Sequence, residues 1–280
     1  MSAASGGAAT KRGRVLIIAG SDSGGGAGIQ ADIKAVTALG GYAATAITAL
    51  TAQDTVTVHA IHEVPAEFIA LQLRVVLQDI GADAIKTGML HRADIIEAVA
   101  DALKLYAPDV PLVVDPVMVA KGGARLLQPQ AEAALREILI PRATLITPNL
   151  PEAEALCGLS IPDAAAMPAA AQALLKLGPK AVLLKGGHLP GEQLTDLLCD
   201  AQGSDAQGSE SFTSSKLHTS STHGTGCTLA SAIATGLAFG LSLHDAVVQA
   251  RAYVRRAIET APGFGHGHGP LNHAHMVKRD

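Results

Sequence analysis

Short, wholly apolar runs alternate along this chain with stretches whose apolar residues recur every three or four positions. The runs at 15–19, 43–50, 84–87, 112–115, 144–147 and 181–185 read as strands. Between them, Ile29, Ile33, Val36 and Leu39 follow helical spacing up to Gly40-Gly41. Ile69, Leu73, Val76 and Ile80 do so after Pro65, and Ile95, Val99 and Leu103 further on. A strand apolar along its whole length is buried on both faces, which places it in a parallel sheet covered by helices on either side. The pattern therefore predicts one α/β sandwich with a mainly parallel sheet.

The 280 residues suit a single large domain over 14–280, with residues 1–13 as a flexible, polar tail lacking the apolar centre of a signal peptide. One segment breaks the rhythm: residues 200–215, rich in Gly, Ser, Asp and Gln, read as a long exposed hairpin loop between 197–199 and 216–218. Two helices close the chain, at 225–239 and about 243–260, the second opened by Ser242 with Asp245 three residues on. A net charge of −4, no Trp, three Tyr and four Phe give neither the basic footprint nor the stacking platforms of a nucleic-acid binder. No apolar run is long enough to cross a bilayer. Cys157, Cys199 and Cys227 are scattered and odd in number, which suits a reducing, cytoplasmic setting better than a disulfide framework.

The stretch Thr222-His223-Gly224-Thr225-Gly226-Cys227-Thr228 carries the most chemistry. Two glycines just before an apolar helix let several backbone N–H groups aim at one point, where the helix dipole adds positive potential. Such a turn can hold a phosphoryl group during transfer; the plainer reading is a turn that only starts a core helix. No Gly-x-x-x-x-Gly-Lys-Ser/Thr pattern is present there, so this is not a Walker-type loop.

His223-Gly224-Thr225-Gly226-Cys227-Thr228 resembles the signature of the hydroxymethylpyrimidine/phosphomethylpyrimidine kinases, a vitamin-kinase branch of the ribokinase-like group. The likeness extends from Arg14 to His275. It takes in Ala19-Gly20-Ser21-Asp22, the glycine loop through Asp32, the segment 47–53, Lys86-Thr87-Gly88-Met89-Leu90, Asp115-Pro116-Val117-Met118, Thr147-Pro148-Asn149-Leu150-Pro151-Glu152 and Lys185-Gly186-Gly187-His188. It implies a three-layer α/β/α fold, a homodimer, and ATP with Mg2+. The expected reaction phosphorylates 4-amino-5-hydroxymethyl-2-methylpyrimidine (HMP) and then HMP phosphate, in thiamine biosynthesis.

Carried over residue by residue, the resemblance puts Gly20, Asp32, Gln53, Met89 and Val117 around the pyrimidine. An amide such as Gln53 both donates and accepts, Asp32 would accept from the hydroxymethyl or amino group, and Met89 and Val117 would be apolar walls. Asn149, Glu152 and Lys185 fall on the nucleotide side, with Asp115 and Glu152 as the metal candidates. Asn149 with Glu152 also has the pattern of a helix cap and first-turn acid. Gly224, Thr225 and Gly226 form the anion hole, and Cys227 takes the base position, to position or deprotonate the substrate hydroxyl; the helix N-terminus should acidify its thiol and nearby phosphates raise it again, and the plainer reading is a small buried hydrophobe.

Three other readings stay open on the sequence. A pyridoxal kinase of the same fold has a similar substrate. Gly26-Ala27-Gly28 with Ala31 fits a relaxed dinucleotide-binding pattern of an oxidoreductase. A ligand-binding protein without turnover is the third. His266, His268, His273 and His275 read as an exposed Gly-rich tail rather than a metal site.

Overall fold

The computed structural model describes residues 13–120, 122–200 and 209–277. The tail 1–12 and the loop tip 201–208 lie outside the described residues. Gly13, assigned to the tail from sequence, is buried and its carbonyl accepts from the Tyr42 N–H at 2.9 Å.

The chain runs β1 (Arg14–Asp22), α1 (Gly28–Ala38), β2 (Tyr42–Gln53), β3 (Val58–Glu63), α2 (Ala66–Asp79), β4 (Ala84–Thr87), α3 (Ala93–Tyr106) and β5 (Leu112–Val114). It continues through α4 (Pro129–Ala134), β6 (Leu145–Ile146), α5 (Leu150–Cys157), α6 (Met167–Leu175), β7 (Ala181–Lys185), β8 (Gln193–Asp200), β9 (Ser209–Ser215), α7 (Thr225–Ala238) and α8 (Leu243–Glu259). The described strands form one sheet in the order β3-β2-β1-β4-β5-β6-β7-β8-β9. Strands β2, β1, β4, β5, β6 and β7 are parallel; β3 at one edge and the β8–β9 hairpin at the other are antiparallel.

Successive side chains leave the two sheet faces alternately. Leu16, Ile18, Ile85, Val114 and Ile146 pack with α2 to α6 in one core, while Val15, Ile17, Ala84, Val113 and Leu145 pack with α1, α7 and α8 in the other. This is the expected three-layer sandwich, and both cores demand the uninterrupted apolar strands seen in the sequence. Helix ends follow local chemistry. Gly40, at φ +87°, terminates the turn after α1, and Gly158, at φ +72°, caps α5. The Ser242 side chain accepts from the Asp245 N–H, as its spacing implies.

Three expectations are corrected. The second strand runs on to Gln53 and folds back as β3, whose side chains are largely exposed and so carry no continuous apolar run. The partner of β8 is Ser209–Ser215, inside the segment read as loop, because an edge strand facing solvent can be built of Ser, Thr and Glu. In α1 the buried stripe is Ile29, Asp32, Ala35 and Val36, and Ile33 is exposed.

Candidate active site

Every parallel strand delivers its carboxyl end to the same edge of the sheet, where ligands bind in open α/β folds. There β1 ends at Gly20–Asp22, β2 at Gln53, β4 at Gly88-Met89, β5 at Asp115, β6 at Asn149 and β7 at Lys185. All of these residues line one cleft of about 1250 Å³.

One corner of the cleft gathers a helix N-terminus, a lysine and two carboxylates. Gly224 sits at φ +79°, and a Cβ there would lie 1.8 Å from the Gly26 carbonyl oxygen, so only glycine fits. The chain then enters α7 with Thr225, Gly226 and Cys227 on the cleft wall. First-turn N–H groups have no acceptor within their own helix, so this end attracts anions. A Cβ on Gly226 would lie 3.2 Å from Lys185 Nζ and 3.6 Å from Asp115 Oδ2, which fixes helix start, ammonium and carboxylate within one small volume.

Lys185 Nζ donates to Asp115 Oδ1 at 3.2 Å, and the Thr147 hydroxyl donates to the same oxygen at 3.2 Å. Burial works to lower the Lys185 pKa, but the Asp115 and Glu152 carboxylates outweigh it and keep the ammonium charged. Asn149 and Glu152 form a reciprocal cap at the start of α5: Asn149 Oδ1 accepts from the Glu152 N–H at 2.9 Å, and Glu152 Oε2 from the Asn149 N–H at 2.8 Å. Glu152 nonetheless faces the cleft, and burial, with Asp115 adding repulsion against the pull of Lys185, pushes its pKa up to about 7.

The other end is lined by Gly20, Gln53, Met89 and Val117. A Cβ on Gly20 would meet Met89 Cε at 2.7 Å, so the glycine lets Met89 close over the floor, with Val117 beside it. The Gln53 amide lies against Thr51 Oγ1 at 3.2 Å and His223 Nε2 at 3.4 Å. His223 Nε2 in turn pairs with Asp22 Oδ2 at 2.8 Å. Asp22 also accepts from the N–H groups of Gly24 at 2.8 Å, Gly26 at 3.1 Å and Ala27 at 2.8 Å. Burial works to raise its pKa, yet His223 and these amides hold it below the usual carboxylate range. Asp22 and His223 thus tie the glycine loop of β1 to the turn before α7.

Gly20, Gln53, Met89, Val117, Asp115, Asn149, Glu152, Lys185 and 224–227 therefore come together, and Asp32 does not. Its carboxylate is fully buried, holding Lys86 Nζ at 2.9 and 3.0 Å and accepting from Ser231 Oγ at 2.7 Å, so it has no face toward a ligand. The expected acid thiol is also corrected: burial dominates the helix N-terminus and pushes Cys227 up to about 11, with Lys86 opposing and Asp32 and Asp115 adding to the rise. The C-terminal histidines are not uniformly exposed. His273 is buried with Nε2 2.9 Å from Thr228 Oγ1, and burial drops its pKa to about 4. Among the described residues no group of three or more His, Cys, Asp or Glu is arranged to hold a metal ion.

Sequence reasoning quoted Asp22, His223 and Lys86 within motifs but gave them no role. It also missed the far wall of the cleft, where Phe212, Leu217, Val248 and Ile258 offer an apolar surface and Arg251, bound to Asp196 at 2.9 Å, stacks over Phe212 at 5.2 Å.

A glycine turn feeding a helix N-terminus beside a lysine and two carboxylates, at the strand ends of a mainly parallel α/β/α sandwich, is the arrangement of the ribokinase-like fold. Residues 22–272 match the family model described as phosphomethylpyrimidine kinase, and the chain belongs to that family. It is 48% identical over 261 residues to the hydroxymethylpyrimidine/phosphomethylpyrimidine kinase of Bacillus subtilis, covering 93% of this chain and 94% of that one. It is 52% identical over 262 residues to the thiamine biosynthesis bifunctional protein ThiED of Geobacter sulfurreducens, and spans 52% of that longer relative. Among solved structures, an ADP complex of Bacillus subtilis pyridoxal kinase superposes with TM-score 0.85 at 36% identity, over 94% of this chain and 98% of that one. A phosphomethylpyrimidine kinase from Clostridium difficile 630 gives 0.77 at 42%, over 88% and 100%. Family membership sets aside the oxidoreductase reading of the glycine loop.

Proposed function

We propose that this chain transfers the terminal phosphoryl group of ATP to the hydroxymethyl oxygen of HMP, and then to the phosphate of HMP phosphate. The observation that carries the reading is the corner formed by Gly224–Cys227, Lys185 and Asp115 at one end of a cleft whose other end is a flat apolar slot. Phosphoryl transfer asks a protein mainly for alignment and charge stabilisation. Amides and Lys185 face the charge that grows on the phosphoryl oxygens, while Met89, Val117 and Gln53 hold the ring so that its hydroxymethyl arm points at the same corner.

The donor set fits magnesium. Asp115 and Glu152 share this corner, and the raised pKa of Glu152 marks negative charge that a cation would relieve. Magnesium prefers one or two carboxylates together with water and phosphate; these two side chains would hold it, and its chemistry there is neutralisation of phosphate charge. The apolar wall of Leu217, Val248 and Ile258 suits the adenine base. The resemblance extends to a homodimer.

Pyridoxal remains the second substrate to test, because the pyridoxal kinase superposes over nearly the whole chain. Purified protein with ATP and Mg2+ is offered HMP, HMP phosphate and pyridoxal separately, and ADP release is followed. The reading expects turnover of both pyrimidines, each with kcat/KM above that for pyridoxal. Turnover of pyridoxal alone would overturn the substrate assignment, and no ADP release with any of the three would overturn the reaction.

A further inference from the structure

Asp22 and His223 are both buried, and the transfer proposed above uses neither. Asp22 Oδ1 accepts from the Gly24 N–H. Its Oδ2 accepts from those of Gly26 and Ala27 and lies 2.8 Å from His223 Nε2. A carboxyl group surrounded by donors in this way is an ionised acceptor with no proton of its own. The proton between it and His223 therefore sits on Nε2. The imidazole is fixed from behind as well. The His223 backbone N–H donates to the Gly269 carbonyl at 3.1 Å, and a Cβ on Gly26 would lie 2.5 Å from His223 Cδ2. Only a glycine at position 26 leaves room for the ring.

Two neighbours then decide how the Gln53 amide sits, because its oxygen and its NH2 are alike in shape and differ only in what they offer. Thr51 Oγ1 has a single proton, and the Ser21 carbonyl 2.8 Å away can only accept it. Toward one end of the Gln53 amide, at 3.2 Å, Thr51 can therefore only accept. His223 Nε2, 3.4 Å from the other end, can only donate. With the amide oxygen toward Thr51, two acceptors would compete for one proton and two N–H groups would face each other at His223. Turned over, the NH2 donates to Thr51 and the oxygen accepts from His223, so that every contact joins a donor to an acceptor. We propose that His223, held by Asp22, is a positioning residue for the pyrimidine: it keeps the Gln53 oxygen toward itself and leaves the second Gln53 N–H for the cleft. Among the described residues that N–H has no acceptor, and Gln53 lines the cleft wall. It suits a ligand that brings a ring nitrogen with a free lone pair, and disfavours one with a C–H in that place. The inference rests on the placement of HMP against Gln53 proposed above.

Two measurements test it. The first is NMR on nitrogen-15-labelled wild-type protein without nucleotide or pyrimidine. His223 Nε2 should carry a proton throughout the range from about pH 6 to 8, in whichever charge state the ring adopts. The Gln53 NH2 should show cross-relaxation with Thr51 and not with the imidazole. An unprotonated Nε2, or an NH2 turned to the ring, would overturn the proposal. The second is steady-state kinetics with His223→Phe, which keeps a flat ring beside Gly26 and removes the N–H, and with His223→Gln, whose amide can donate in its place. We expect KM for HMP to rise about tenfold in His223→Phe and to return to within about threefold of wild type in His223→Gln. KM for ATP should change less than about threefold in both, since a role confined to Gln53 leaves the nucleotide side alone. An unchanged KM for HMP in folded His223→Phe, equal rises for HMP and ATP, or no recovery in His223→Gln would each overturn it. The NMR measurement decides how Gln53 is held even if His223→Phe fails to fold or the wild-type protein proves not to phosphorylate HMP.

Discussion

Cys227 and Glu152 are two side chains of the cleft whose environments alter their chemistry. With its thiol pushed up to about 11 by burial, Cys227 is almost wholly protonated at neutral pH, and the thiolate fraction grows tenfold per pH unit below that value. The kcat for HMP should therefore climb between pH 7 and 9 without a plateau, and Cys227→Ala should lower it on the order of 100-fold. A plateau below pH 8, or full activity in the alanine variant, would remove the thiol from the reaction. Glu152 has the opposite consequence for stability. Its pKa is raised from 4.5 to about 7, so its protonated form suits the folded site. The stabilisation is fully present below about 4.5 and is lost as pH rises through about 7, roughly 3 kcal/mol in all. Glu152→Gln keeps a capping amide at the start of α5, so its melting temperature relative to wild type should rise between pH 5 and pH 8 in nucleotide-free protein. A constant difference would contradict the assigned burial. Residues of this kind were only half legible in sequence. Lys86 sits in Ala-Ile-Lys-Thr, a strand whose neighbours must all be buried, and Asp32 lies three residues after Ile29 and four before Val36. Both positions signal burial, and two buried opposite charges must pair. Which partner each takes depends on Lys86 reaching from β4 to where α1 packs beside α7, a fact of three dimensions.

The start of α7 is the element on which the proposed transfer depends. Gly226→Ala would bring a methyl 3.2 Å from Lys185 Nζ, the mobile end of a long side chain. The fold should tolerate it, with melting shifted by a few degrees at most, while kcat/KM for ATP falls on the order of 100-fold because the methyl occupies the phosphate's place. Gly224→Ala is a different case: positive φ and a backbone oxygen 1.8 Å from the new Cβ should cost at least about 2 kcal/mol in denaturant unfolding. Equal stability losses for the two variants would contradict this division between site and scaffold. The glycines before α7, the cap at Asn149 and Ser242, and the stop at Gly40 are local chemistry, which is why sequence alone located them. Strands β3 and β9 escaped because edge strands answer to one neighbour and to solvent, and leave no apolar run to read.

At the scale of the whole molecule, six parallel strand ends gather groups from Gly20 to Lys185 on one edge, and α7 closes the site more than 200 residues after it begins. The alternation of apolar runs dictated the sandwich, and the ordered motifs announced which residues would meet. The depth of Asp32, the half-buried setting of Cys227 and the apolar wall from β9 to α8 depend on packing between distant segments. The outer face of α2 exposes Phe68, Leu71 and Val75, an apolar stripe suited to pairing of two copies, in line with the proposed homodimer. Sedimentation at micromolar concentration should give twice the mass of one chain; a monomer would reject the pairing. The account as a whole turns on where the terminal phosphate of the nucleotide rests. A crystal structure with HMP and a non-hydrolysable ATP analogue should place that phosphate within about 3 Å of the Gly226 and Cys227 N–H groups and beside Lys185. A terminal phosphate bound anywhere else in the cleft would contradict it.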